Sequence, residues 1–100
     1  MGIIAYILAY IMTVVPVDVN ERRRHVHIYG MYRKHTRQQC LAKIWIECNG
    51  VKDISVAYNN GIPERKMRRI MDFIDEHYDE INEQIDKTFA GEKTTIIISK

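Results

Sequence analysis

The chain has 100 residues, of which 46% are hydrophobic and 28% are charged, and its formal net charge is +2. These values exclude a disordered chain and predict a single soluble domain over residues 1–100, with one small core. The charges are unevenly spread, because residues 21–43 hold seven Lys or Arg and one acid, whereas residues 72–86 hold seven acids and no Lys or Arg. We therefore expect one basic and one acidic surface.

An almost wholly apolar segment lies near the start of the chain, at residues 3–15. It is shorter than the roughly 20 residues of a membrane span, and no Lys or Arg precedes it as in a signal peptide. The sequence therefore predicts a buried element in a protein that is neither secreted nor bound to a membrane. Short apolar runs fit a helix or a strand, but the Ile, Val and Tyr content favours a single strand that ends at Pro16.

The middle of the chain carries strand and turn signals in alternation. A polar turn is predicted at residues 17–20, a second strand at residues 25–31 and an exposed loop at residues 33–39. Asn49-Gly50 is a strong hairpin signal, because both residues tolerate positive φ angles. It is expected to join a third strand at residues 40–48 to a fourth at residues 51–58.

Side-chain alternation predicts which residues of the third strand face the core. That set is Cys40, Ala42, Ile44, Ile46 and Cys48. The two cysteines lie about 26 Å apart in such a strand, too far for a disulfide bond between them. We expect both to be small buried hydrophobic residues in a reducing, cytoplasmic setting.

A long apolar stripe with steps of three and four residues predicts one C-terminal helix, opened by Pro63 and closed by Gly91. A kink near His77-Tyr78 is compatible with the pattern, and a short last strand is expected at residues 94–99. The predicted fold class is therefore α+β. An antiparallel sheet of four to five strands packs under one long C-terminal helix, with or without that kink.

The charges of this helix oppose its dipole, because the cations Arg65, Lys66, Arg68 and Arg69 lie at its start and the acids follow. A helix N-terminus with several cations can bind an anion, particularly if the basic residues 22–43 lie nearby. Alternatively, the cations form a solvated face that pairs with the acids of the helix or of a second subunit.

The segment His25–Gly30 directly follows Arg22-Arg23-Arg24 and looks most like a functional site. In a strand, His25, His27 and Tyr29 share one face while Val26 and Ile28 point into the core. Two histidines at this spacing can bind one metal ion if His35, Asp18 or Glu21 supplies a third ligand. They can instead form a hydrogen-bonded pair that supports the sheet surface.

RNA cleavage without a metal is a further interpretation, with His25 or His27 as the general base and Arg24 or Lys43 stabilising an anion.

No phosphate-binding loop, dinucleotide fingerprint, zinc-finger spacing or nucleophile elbow occurs, so no cofactor or metal is expected. Trp45 and Tyr32 can stack on bases among these cations, although Trp45 also suits the rim of a core. The residues expected to contact nucleic acid or another anion are Arg22, Arg23, Arg24, Tyr29, Arg33, Lys34, Lys43, Arg65, Arg68 and Arg69.

The order of these features resembles a small bacterial family of domains of unknown function, family 4160. The matching features over residues 1 to about 91 are His25–Gly30, the strand pair around Asn49-Gly50, Ile62-Pro63, Phe73-Ile74, Ile81 and Phe89-Ala90-Gly91. The resemblance implies gene neighbourhoods like those of toxin–antitoxin modules, and hence a partner protein or RNA. It implies no established activity.

The leading hypothesis is a non-enzymatic binding module, one half of a toxin–antitoxin-like pair, that engages nucleic acid or an acidic partner through a basic face. One alternative is a metal-independent RNA-cleaving toxin that uses His25 or His27. Another is a structural homodimer, paired through an edge strand or through its basic and acidic surfaces.

Overall fold

A computed structural model describes residues 2–14, 23–30 and 40–98, within which the chain forms six strands and two helices. In chain order these are β1 (Gly2–Ile7), β2 (Tyr10–Val14), β3 (His25–Gly30), β4 (Cys40–Cys48), β5 (Val51–Asn59), α1 (Glu64–Glu76), α2 (Tyr78–Phe89) and β6 (Ile97–Ile98). The predicted turn at residues 17–20 and the predicted loop at residues 33–39 lie outside the described residues.

The described strands form one sheet in the order β5-β4-β3-β2-β1-β6. Each strand from β1 to β5 pairs antiparallel with the next along the chain, whereas β6 pairs parallel with β1. The α+β class and the antiparallel sheet are therefore confirmed. The hairpin between β4 and β5 turns at Asn49 and Gly50, whose φ angles are 53° and 83°, as this type of turn requires.

The first apolar segment is two strands, so the prediction of one strand over residues 3–15 was wrong. The chain reverses at Leu8 and Ala9, and Leu8 takes a φ angle of 55°. Tyr6 then faces Ile11 across the β1–β2 pair. This additional hairpin raises the antiparallel part of the sheet to five strands, and β6 adds a short sixth.

The predicted single helix is two helices, which meet at His77. This residue has φ −107° and ψ 28°, outside helical values. The hydrogen-bond ladder nevertheless continues across it, since His77 N donates to Phe73 O and Ile81 N donates to His77 O, both at 2.9 Å. The break lies at the position where the sequence allowed a kink.

Both helices pack their apolar stripes on one face of the sheet. α1 lies against β5, and α2 lies against β1 and β2. The largest fully buried apolar side chains are Ile4, Met12, Val14, Val26, Ile28, Ile44, Ile46, Ile70, Ile74, Ile81 and Ile85. Since Val26 and Ile28 are among them, the alternation predicted for β3 is observed.

The outer surface of the helices carries the acids. All seven acids between residues 72 and 86 are exposed. Two of them bind cations outside the helices, because Lys52 of β5 donates to Asp75 and Arg24, just before β3, donates to Asp86. Neither α1 nor α2 meets the length and hydropathy that a bilayer crossing requires.

Candidate functional site

The face of the sheet opposite the helices holds the polar and aromatic side chains of β3 that the sequence predicted to form a site. Because Val26 and Ile28 point into the core, His25, His27 and Tyr29 point the other way. Strands β4 and β5 add further side chains to this side. We call it the histidine face and define it by His25, His27, Tyr29, Cys40, Lys43, Trp45 and Tyr58.

Strand register arranges this face in rows, because cross-strand partners have their side chains on the same side of a sheet. The rows are His25–Trp45–Ser55, Thr13–His27–Lys43–Tyr58 and Ile11–Tyr29–Cys40. His27 and Lys43 are therefore direct neighbours near the middle of the sheet. The hydroxyl of Thr13, in the same row, is buried and has no hydrogen-bond partner among the described residues.

Cys40 belongs to the histidine face, so its predicted place on the core face was wrong. The register between β3 and β4 shifts after Ile28, and Tyr29 pairs with Cys40 instead of Leu41. Leu41 packs against the core in its place. Cys48, at the other end of β4, is also only partly buried, and both cysteines are free thiols.

Trp45 lies at the centre of a group of cations. The Arg23 guanidinium carbon is 4.9 Å from the indole centroid and Lys43 Nζ is 4.4 Å from it. The His25 ring meets the indole edge-on at 5.4 Å. In a cation–π contact, such as those of Arg23 and Lys43, the aromatic ring attracts the cation and holds its charge near the ring. The indole therefore positions two cations on the histidine face.

The neighbouring arginines Arg23 and Arg24 point to different sides of the sheet. Arg23 donates to Glu47 O and lies 3.6 Å from Asp53, close to Trp45. Arg24 instead donates to Asn82 Oδ1 at 3.1 Å and to Asp86 on α2. The structure thus separates Arg24 from the two histidines and leaves Lys43 as the described cation beside His27.

Both histidines are held by specific contacts. His25 is only 8% exposed, and its Nδ1 lies 2.8 Å from Arg23 O. Since a carbonyl oxygen only accepts, this nitrogen carries the proton. His27 Nδ1 lies 3.3 Å from Cys40 Sγ, and the two imidazole rings meet edge-on at 5.0 Å.

The described ranges hold no group of three or more His, Cys, Asp or Glu side chains arranged to bind a metal ion. The candidate third ligands His35, Asp18 and Glu21 lie outside those ranges, as do the candidate contact residues Arg22, Arg33 and Lys34 and the stacking candidate Tyr32. The metal-binding interpretation therefore gains no ligand set from the described residues.

Two tyrosines border the Cys40 sulfur. Tyr58 donates its hydroxyl to Cys40 Sγ at 3.1 Å. That hydrogen bond, followed by burial, raises the pKa of Tyr58 to about 12. Burial first, and then the proximity of Cys40, also raises the pKa of Tyr29. Both phenols therefore stay protonated at neutral pH. No pattern in the sequence indicated this cluster, because only the register shift before Tyr29 brings Cys40 into it.

The cations predicted at the helix start lie on the other side of the sheet. Arg65, Arg68 and Arg69 are exposed on α1, whose buried residues share the core with Val26. The Arg68 guanidinium is 3.5 Å from a Glu64 carboxylate oxygen. Arg24 pairs with Asp86 on α2. The other basic candidates among the described residues form two separate groups, one on the histidine face and one on α1.

A sheet with helices on one face and cations, imidazoles and aromatic rings on the other defines a small α+β domain with a candidate ligand-binding face. The chain belongs to the family described as Domain of unknown function (DUF4160), whose model matches residues 16–84. The family resemblance noted in the sequence is therefore confirmed. The chain matches no curated protein and no solved structure.

Proposed function

We propose that the protein is a non-enzymatic module that binds single-stranded RNA on the histidine face. The observation that supports this best is the placement of Arg23 and Lys43 within 5 Å of the Trp45 ring centroid, at 4.9 and 4.4 Å. Proteins that bind single strands combine cations that contact phosphates with aromatic rings on which bases stack. The histidine face offers both an aromatic ring, that of Trp45, and a cation, that of Lys43 in the neighbouring row.

The distribution of charge favours a polyanion on this face. The seven acids between residues 72 and 86 are exposed on the helices, on the far side of the sheet. On the histidine side Asp53 lies beside Arg23, at 3.6 Å. The ring of Tyr58, 39% exposed, adds an aromatic surface next to Lys43. We favour RNA over an acidic protein, because stacking surfaces accompany the cations.

The proposal extends to a toxin–antitoxin-like pair, which rests on the gene neighbourhoods that the family resemblance implies. In such a pair the acidic helical surface is available to a basic partner protein while the histidine face binds RNA. The two surfaces lie on opposite sides of one sheet, so both can be occupied together.

Trp45→Ala should weaken RNA binding by about 5- to 150-fold, because a stacked base contributes about 1–3 kcal/mol. Lys43→Gln should reduce the dependence of log K on log salt by about one phosphate contact. Both are measured by fluorescence anisotropy with end-labelled single-stranded RNA, at low salt and near 0.3 M salt. The matched control is Arg65→Gln, which removes a cation from α1 and should change the affinity less than about twofold.

Three outcomes contradict this proposal. If no salt-sensitive binding occurs, RNA is not the ligand and an acidic protein partner takes its place. If Arg65→Gln weakens binding as much as Lys43→Gln, the anion site lies on α1. If a denaturing gel of the same mixtures shows RNA fragments, and these vanish with His27→Ala in a folded protein, the protein is an RNA-cleaving enzyme.

A further inference from the structure

Cys40 is the centre of a hydrogen-bonded cluster of titratable side chains, of which the proposed RNA site uses only the ring of Tyr58. The Cys40 sulfur lies 3.3 Å from His27 Nδ1 and accepts the Tyr58 hydroxyl at 3.1 Å. It also lies 3.3 Å from Ala42 O, to which the thiol can donate. The residue is partly exposed. An imidazole beside a thiol, with a hydrogen bond donated to the sulfur, is the arrangement that activates nucleophilic cysteines.

The two tyrosines keep this arrangement intact over the range in which a thiol loses its proton. Because the pKa of Tyr58 is raised to about 12, its hydroxyl remains a donor to the sulfur at neutral and mildly alkaline pH. The pKa of Tyr29 is raised as well, first by burial and then by the nearby Cys40. Neither phenol therefore becomes an anion that would repel a thiolate.

We propose that Cys40 is a reactive thiol that takes hydroperoxides as its substrate class. His27 accepts the thiol proton, and the sulfur attacks one peroxide oxygen. A sulfur–oxygen bond forms as the oxygen–oxygen bond breaks. The departing hydroxide of hydrogen peroxide, or the alkoxide of an organic hydroperoxide, takes the proton from His27 and leaves as water or as the alcohol. The sulfur is oxidised by two electrons to a sulfenic acid, and the peroxide is reduced by the same two. The Tyr58 hydroxyl stabilises the negative charge on sulfur before the attack.

The chain contains its own reference thiol. Cys48 is also free and partly exposed, and it lies at the opposite end of β4. Among the described residues it makes no hydrogen bond like those of Cys40. The ratio of the two reaction rates within one molecule is therefore independent of protein concentration.

The test is site-resolved mass spectrometry of the full chain at neutral pH, with iodoacetamide as one probe and hydrogen peroxide followed by a sulfenic-acid trap as the other. Cys40 should react about tenfold faster than Cys48 with both probes. Tyr58→Phe and His27→Gln should each lower that ratio by about fivefold or more. In urea-unfolded protein the two thiols should react at similar rates, which calibrates the measurement.

Two results would overturn the assignment. The first is a Cys40 rate equal to or below that of Cys48 in the folded wild-type protein. The second is a fast Cys40 that stays equally fast in both variants, since exposure alone then explains its rate. Tyr58→Phe retains the ring and removes only the donor, and circular dichroism checks that each variant is folded. Because the readout is thiol chemistry, the result is separate from that of the RNA-binding assay.

Discussion

Replacing Ile44 with alanine should lower the free energy of unfolding by about 2–5 kcal/mol, the usual cost of a cavity at a fully buried isoleucine. Ile44 is 0% exposed and lies in β4, where it pairs with Val26 on one side and Val56 on the other. A domain of this size is stabilised by about 5–15 kcal/mol in total. The loss is therefore a large part of the stability, and urea unfolding followed by circular dichroism measures it.

Ile96→Ala is the matched control for this measurement. It removes the same atoms from a side chain that is 48% exposed, so its effect should stay within about 0.5 kcal/mol. Equal losses in the two variants would contradict the position of the core between the helices and β4.

Glu47→Gln should lower the free energy of unfolding at neutral pH by about 1–3 kcal/mol, because a carboxylate that accepts two backbone donors is lost. The Glu47 carboxylate accepts Arg24 N–H at 2.9 Å and Gly50 N–H at 2.7 Å. It thereby fixes both the start of β3 and the β4–β5 hairpin. An amide oxygen can replace only part of this, and Glu92→Gln, at an exposed position, should stay within about 0.5 kcal/mol.

The same carboxylate gives this prediction a pH dependence. The hydrogen bonds from Arg24 and Gly50, in that order, lower the pKa of Glu47 in the folded protein below the ordinary value of 4.5. A lowered folded-state pKa stabilises the fold above the unfolded pKa, and the gain is lost as pH falls through the folded pKa. The difference between wild type and Glu47→Gln should therefore shrink below about pH 4.5. Urea titrations from neutral pH to about pH 3 test this, and a constant difference would contradict it.

Much of the fold was readable from local patterns. The alternation of His25–Gly30 correctly placed Val26 and Ile28 in the core, because a strand with one buried face requires a period of two. Asn49-Gly50 marked its hairpin, since few other residue pairs accept two positive φ angles. The apolar stripe after Pro63 predicted helical structure packed against the sheet, although as one helix and not two.

The errors arose where no residue type signals the local geometry. Leu8 takes a positive φ angle that usually requires Gly or Asn, so the turn between β1 and β2 had no sequence signal. The register shift beside Leu41 likewise has no characteristic composition. It nevertheless moves Cys40 to the other face of the sheet. At His77 the helix breaks without Pro or Gly.

The candidate site was predictable only in part, because its members depend on long-range pairing. The shared face of His25, His27 and Tyr29 followed from strand alternation. The neighbourhood of Trp45 depends instead on the register of β3 against β4. Arg24 joined the candidate set by sequence proximity, yet it binds Asp86, which is 62 positions away on α2. Such partners follow from the packed fold and not from spacing along the chain.

The pairing of β6 with β1 has a consequence for the nascent chain. Thr94 Oγ1 donates to Ile3 O across 91 positions, and Ile97 pairs with Ala5. During translation, β1 therefore leaves the ribosome long before β6 has been synthesised. Until then one side of β1 presents unpaired backbone groups, which are a template for association with other chains. The two residues of β6 thus cover part of an edge of β1 that a newly made chain leaves unpaired.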